Sequence, residues 1–386
     1  MDHSPQGCPF YRDAFAVSRK RSPTQTVFYN QENIPMFLRH SDIRKAAADS
    51  DQFSSDTPFR VPIPSEEELR TVRQLPIEAD PPEHKLWRAI SDPFFARPKS
   101  ADFQASIRRL VCDLLVASER NGKVEVVREF ALPLQSKALA LLLNVELDEA
   151  EEWIGWGTHV FKDGVDGVAN GSRLDTYIRE RLELAAKSDS GEDFFSALHQ
   201  ASFGDRALTE DEKVGFVNLA FAGGRDTVIQ AVAGVWFLLS ESPDRICFLR
   251  EDPRRARLAA EEVFRVTSPL THIGRTCKAN TNFADREIPG GQLISLCWAS
   301  ANFDPTVFDQ PESIKFERKP NPHLAFGSGI HTCQGALHAR LLVRVLMEEI
   351  ALRFDQLEVI SAHPLVEKGH GYERVAGFDS LEIGFL

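Results

Sequence analysis

One cysteine in this chain stands in a setting suited to chemistry. Cys333 lies in HLAFGSGIHTCQG, residues 323–335, after Gly327, Gly329 and His331, just before Gly335, and a helical pattern follows over 335–353. Glycines allow a backbone to come close to a flat ligand and leave amide hydrogens free to point at the sulfur. Those amides, with the positive end of the following helix, favour a thiolate. A lone thiolate with no cysteine or histidine partner at metal spacing cannot make a structural zinc site. Two uses remain. A nucleophile needs a general base, and His331, two residues away, is poorly placed to be one. An axial ligand to haem iron needs none, and its electron donation favours O–O cleavage.

Two further stretches carry reactive side chains at meaningful spacing. AGGRDT, residues 222–227, sets Gly223 and Gly224 before Arg225, Asp226 and Thr227 inside an otherwise apolar helical run. Each interior glycine costs about 1 kcal/mol relative to alanine. The stretch is either a kink whose polar groups bond to carbonyls, or a helix opened so that a ligand lies against bare backbone beside an acid and a hydroxyl. Glu262 and Arg265 stand three apart on a helical stretch that Pro269 ends, a short apolar turn then leads to Arg275, and Arg318 lies in the proline-rich segment before the cysteine loop. Alone, such a pair is a common surface feature worth a few tenths of a kcal/mol.

The elements that must position these residues are mostly helical. Periodicity of 3.6 marks 102–119, 134–143, 173–187, 209–241, 256–266 and 335–353. The run 209–241 opens on Thr209 and Glu212 at capping-box spacing and predicts one helix of about 50 Å crossing the core. Short strands are expected at 24–30, 292–300 and 378–385, sharing one sheet if they share a domain. The expected class is mainly α with small peripheral β-sheets, and residues 1–386 form one domain, since no linker, repeat or low-complexity tract divides them. The net charge of −12 argues against nucleic acid or an anionic membrane as partner. Cysteines 8, 112, 247, 277, 297 and 333 are widely separated, as reduced thiols are. No signal peptide is visible and no run approaches the roughly 20 apolar residues of a membrane span. A soluble, cytoplasmic protein is expected.

Together these features resemble the cytochrome P450 family across essentially the whole chain. FGSGIHTCQG (326–335) is similar to its haem-binding loop, AGGRDT to its oxygen-binding groove, Glu262 and Arg265 to its E-x-x-R pair, and DPPEHKLWR (80–88) to its haem-contacting helix. The resemblance implies haem b, iron protoporphyrin IX, with Cys333 as proximal ligand and Gly223, Gly224, Phe326, Gly327 and Gly335 against the cofactor. His84, Arg88, Arg275 and His331 would grip its propionates. Glu262, Arg265 and Arg318 would form a structural network. Asp226 and Thr227 would be the catalytic acid–alcohol pair that delivers protons to dioxygen. Phe221, Ala222, Leu270 and Ile273, with loop 53–78, helices around 153–187 and the turn 369–378, would enclose a small apolar or aromatic substrate, with His272 as a candidate polar anchor. Hydroxylation or oxidative dealkylation is implied, with electrons from a ferredoxin and a flavin reductase docking near Cys333 on Arg340 and Arg344. A peroxide-driven or rearranging enzyme is the alternative, and a non-catalytic haem sensor the third reading. Three departures stand out: Gln334 where the family usually has leucine, Asn302-Phe303-Asp304 in place of Asn-Arg-Asp, and the charge of Arg225.

Overall fold

The computed structural model describes residues 11–29, 32–158, 165–187, 191–369 and 371–386, with backbone alone at 165–170. Helices come first because they carry most of the chain: α1 (Ala16–Arg21), α2 (His40–Ala48), α3 (Glu83–Phe95), α4 (Ala101–Asn121), α5 (Leu132–Leu143), α6 (Glu149–Gly155) and α7 (Val165–Ala186). They continue as α8 (Phe194–Gln200), α9 (Glu210–Gly224), α10 (Asp226–Ser240), α11 (Pro243–Glu251), α12 (Ala256–Thr267), α13 (Trp298–Ala301) and α14 (Ala336–Arg353). None of the described helices is long and apolar enough to cross a membrane.

The strands are peripheral, as expected, but they divide differently. One antiparallel-to-mixed sheet runs β1 (Thr24–Tyr29), β2 (Glu32–Phe37), β10 (Leu293–Leu296), β7 (Ile273–Cys277), β3 (Phe53–Ser54). A second joins β11 (Leu357–Gly369), β12 (Tyr372–Phe385) and β4 (Lys123–Glu125), and two small hairpins pair β5 (Ser202–Phe203) with β6 (Arg206–Ala207) and β8 (Thr281–Phe283) with β9 (Arg286–Ile288). The expectation of one shared sheet is therefore corrected. The first strands meet β10, whereas the last strand pairs along its length with its own neighbour β11. That hairpin satisfies its backbone locally and needs no partner from the N-terminus.

The run 209–241 is also corrected, from one helix to two. Thr209 and Glu212 do form the capping box. α10 is then buried at every position from Val228 to Leu239, as a helix apolar all round should be. Between α9 and α10 the ladder breaks at Arg225, whose φ and ψ are −91° and −78°. Two consecutive glycines weaken the helix there, and the Thr227 hydroxyl donates to the Gly223 carbonyl at 2.9 Å in place of an amide.

α12 and α14 pack on α10 and hold the cysteine loop from behind. Their anchor is Glu262, wholly buried, which accepts two bonds of 2.8 Å from Arg265, two of 3.1 Å from Arg318 and one of 2.9 Å from the Lys315 amide. Arg265 also donates to the Asn302 and Pro311 carbonyls at 2.9 and 2.8 Å, tying the helix to the segment before the loop. Burying these charges is tolerable because nearly every donor finds an acceptor.

Candidate functional site

The break in the central helix and the cysteine loop face one another across a cavity of about 1580 Å³, its mouth included. The loop is its floor. Gly327 and Gly329 adopt φ of +70° and +75°, which glycine alone adopts without strain. The Cys333 amide donates to the Phe326 carbonyl at 2.8 Å, closing the loop under its sulfur. Phe326 is fixed between the Phe264 ring, 4.7 Å away between centroids, and the Arg340 guanidinium 4.3 Å above its face.

Cys333 opens onto the cavity yet lies deep in the molecule, and burial pushes its thiol pKa up. The Gly335 amide, Arg88, Arg340 and the Ala336 amide oppose that rise without overcoming it. The amides are aimed as the sequence suggests, but they do not by themselves stabilise a thiolate. A bound metal ion would supply the missing charge.

Four basic side chains meet at one side of the cavity. The His84 and His331 rings lie 4.2 Å apart between centroids, and neither buried ring nitrogen of the half-buried His331 has a hydrogen-bond partner. Burial, then the nearby Arg275, His84 and Arg88, depresses His331 to about 2; burial and Arg88 take His84 to about 4. Arg275, also buried, donates to the Gly274 carbonyl at 2.7 Å, and burial lowers its pKa to about 10 against the pull of Asp80. Arg88 reaches the Thr332 carbonyl at 3.0 Å. Two arginines beside two neutral imidazoles, one with no partner for either ring nitrogen, fit the carboxylates of an anionic ligand. Above them, a Cβ on Gly224 would meet nothing within 4 Å, so bare helix backbone faces open space. These residues fit a haem.

Thr227, Gly223 and Gly224 line the cavity, as do Leu270, Ile273, Phe326, Gly327 and Gly335. Asp226 is half-buried at the start of α10 and is not part of the cavity wall. Phe221 and Ala222 are not part of it either. Phe221 turns the other way, fully buried against Trp153, Trp156 and Tyr177 at centroid distances of 4.8, 5.8 and 6.2 Å. The wall is instead Ala220, Gly223, Gly224, Thr227, Val228 and Ala231, one helical face. That spacing, counted from the glycines, is the signal that finds the missed residues. From loop 53–78 only Leu75, Pro76 and Ile77 reach the cavity; Phe216 joins from α9 and His338 from α14, while Gln135 and Phe194 join from elements the sequence does not connect with it. None of the described residues of 153–187 or 369–378 lines it; residues 159–164 and 370 lie outside the described residues.

The remaining expectations resolve locally. His272 bonds to Ser295 Oγ at 2.7 Å outside the cavity, so it is no anchor there. Arg340 is held by Glu261 at 2.8 and 2.9 Å, and Arg344 lies 3.7 Å from Glu348, so both charges are already partnered. Gln334 donates to Ser91 Oγ at 2.9 Å and to Asp92 Oδ1 at 2.7 Å, clamping the cysteine loop to α3. Asn302 accepts from the Leu324 amide at 2.6 Å and Asp304 from the His40 amide at 2.9 Å, so this stretch braces the loop without an arginine at position 303. Arg225 points away from the cavity, bonding to the carbonyls of Trp153 and Gly157. The described cysteines other than Cys333 are free thiols away from the cavity; Cys8 lies outside the described residues.

Comparison with known proteins agrees with this geometry. A profile of the family Cytochrome P450 matches residues 171–366. The chain is 30% identical to cytochrome P450 107B1 of Saccharopolyspora erythraea, over 74% of this chain and 71% of that protein. It is 27% identical to the steroid C26-monooxygenase of Mycobacterium tuberculosis, over 97% and 94%. A solved structure described as that of a carbohydrate active P450 superposes with a TM-score of 0.94 at 39% identity, over 97% of this chain and 98% of the other. With the cysteine loop beneath a broken central helix and a cluster of basic groups at its side, the chain belongs to the cytochrome P450 family of haem-thiolate monooxygenases.

Proposed function

We propose that this protein binds haem b and inserts one oxygen atom from O2 into a small, mostly apolar substrate, by hydroxylation or oxidative dealkylation. The observation that carries this reading is the convergence of Cys333, the unpartnered His331 nitrogens and the bare backbone at Gly223–Gly224 on one cavity. Bound haem would supply the activation of O2, with Cys333 as its thiolate donor. His84, Arg88, Arg275 and His331 would hold its carboxylates. The Thr227 hydroxyl spends its proton on the Gly223 carbonyl, which leaves its oxygen facing the cavity as an acceptor for water. Asp226, one residue away, would pass protons inward from its half-buried position. Leu75, Pro76, Ile77, Ala220, Leu270 and Ile273 exclude bulk water and set an apolar preference. Two electrons would come from a separate ferredoxin and flavin reductase.

A second reading of the substrate rests on the 39% identity to a carbohydrate active P450. A sugar bearing an alkoxy group would satisfy both that likeness and an apolar wall, the alkyl carbon being the site of oxidation. A titration separates the two. Steroids, simple aromatics, free sugars and sugar ethers are added to the ferric protein, and the low-to-high spin change is read. A response to sugar ethers alone selects the second reading, and one to hydrophobic compounds the first. A substrate that responds but turns over with peroxide and not with O2 and reductase would move the enzyme into the peroxide-driven class.

A further inference from the structure

Arg225 occupies the break between α9 and α10, and its backbone and side chain serve different elements. Its carbonyl accepts from the Ile229 amide at 3.0 Å and so starts α10. Its side chain, 1% exposed, crosses to the end of α6, where Nε donates to the Gly157 carbonyl at 3.0 Å and Nη2 donates to the carbonyls of Trp153 and Gly157. The Trp153 carbonyl lies in the last turn of α6 and also accepts from the Trp156 amide at 3.2 Å, and the Gly157 carbonyl lies just beyond the helix end, where the helix dipole favours a cation. Here the cation comes from another helix. Nη1 has no hydrogen-bond partner, and the neighbouring Asp226 carboxylate offsets only part of the cost of burying the guanidinium.

The same side of α9 carries Phe221, one turn earlier, packed between Trp153 and Trp156 of the α6 end. The opposite side carries Gly223, Gly224 and Thr227 on the cavity wall. One short stretch of backbone therefore holds α6 by one face and shapes the groove with the other. Withdrawing the α6 end would strip a buried guanidinium of its acceptors, so the two sides cannot move independently at low cost.

We infer that Arg225 is a positioning residue: by gripping the α6 end it fixes the break in the central helix, and through the break it sets where the Thr227 hydroxyl stands in the cavity. The inference rests on the haem-thiolate reading above for its second half only. The α6 contact stands without it.

The test uses the haem-loaded full chain with Arg225→Gln, Arg225→Lys, Thr227→Ala and the double variant Arg225→Gln/Thr227→Ala. Hydrogen exchange at the α6 amides reads the first half, and the C–O stretching band of the reduced carbon monoxide complex reads polar groups in the groove. Arg225→Gln should speed α6 exchange about tenfold, the loss of roughly one charge-assisted hydrogen bond, while α14 is unchanged. It should also shift the C–O band, as Thr227→Ala does, and the double variant should shift it no further than Thr227→Ala alone. Arg225→Lys should show smaller changes in the same direction, and it decides the matter if Arg225→Gln does not fold. Unchanged α6 exchange, exchange that rises equally throughout the chain, or additive band shifts would each overturn the inference. A protein that takes up no haem leaves α6 exchange to decide, and it is then the haem-thiolate reading that has failed.

Discussion

At the scale of single residues, the chain separates groups that hold the fold from groups that line the cavity. Glu262 is the clearest of the former, buried with Arg265 and Arg318 and bonded to both. Glu262→Ala leaves two buried guanidiniums uncompensated and should cost about 3–5 kcal/mol, seen as a large drop in the denaturation midpoint. A loss below about 1 kcal/mol would mean that water or a nearby carbonyl takes over. Thr227 is the clearest of the latter. With the substrate found by spin-state titration, Thr227→Ala should turn most of the consumed electrons into peroxide while costing only about 1 kcal/mol of stability, the worth of the hydroxyl's one bond to Gly223. Unchanged product per electron would remove Thr227 from proton delivery. Cys333, His331 and Gly223, which line the cavity, and Glu262, which anchors the helix behind it, stand out in the sequence because they sit at short, fixed spacings. Phe221 and Ala222 are misassigned because adjacency in sequence does not tell which side of a helix a residue occupies; that requires counting from Gly224 in steps of three and four.

Elements are legible where one period dominates. The helices around 102–119, 134–143, 256–266 and 335–353 form within a few residues of their periodic patterns. The division at Arg225 is foreshadowed by the glycine pair, but its cause lies in α6, which no local pattern connects to residue 225. The sheets are less legible because pairing is non-local: nothing in 378–385 says that its partner is β11 rather than β1. Where the two sheets approach one another, His272 bonds to Ser295 of β10 and lies 3.9 Å from Glu367 of β11, with Arg374 of β12 close to Glu367 at 4.0 Å. Burial, partly offset by Glu367 and reinforced by Arg374, lowers His272 to about 4. An unfolded histidine takes up its proton near pH 6.5. The folded chain resists that proton until about pH 4, so the stability is whole above pH 6.5 and falls as pH drops toward 4. The loss assignable to His272 is at most about 3 kcal/mol. His272→Gln should flatten the stability profile between those two pH values, as measured by denaturant unfolding at a series of pH values. An unchanged slope would show that His272 does not set it.

At the scale of the whole molecule, the family was legible because four short motifs fall in order along one chain; three of them meet at one cavity and the fourth, Glu262 and Arg265, braces the segment behind it. The substrate was not legible. Its walls come from α3, α5, α8, α9, α10, the turn before β7 and the loop at Leu75–Ile77, and their convergence depends on the complete fold. In the proposed function Cys333 has one task, to bind iron through its sulfur. The most direct test is the absorption spectrum of the haem-loaded, dithionite-reduced protein under carbon monoxide. Thiolate ligation predicts the strongly red-shifted Soret band in the wild type and its loss in Cys333→His; an unshifted haem–CO band in the wild type would contradict the central claim.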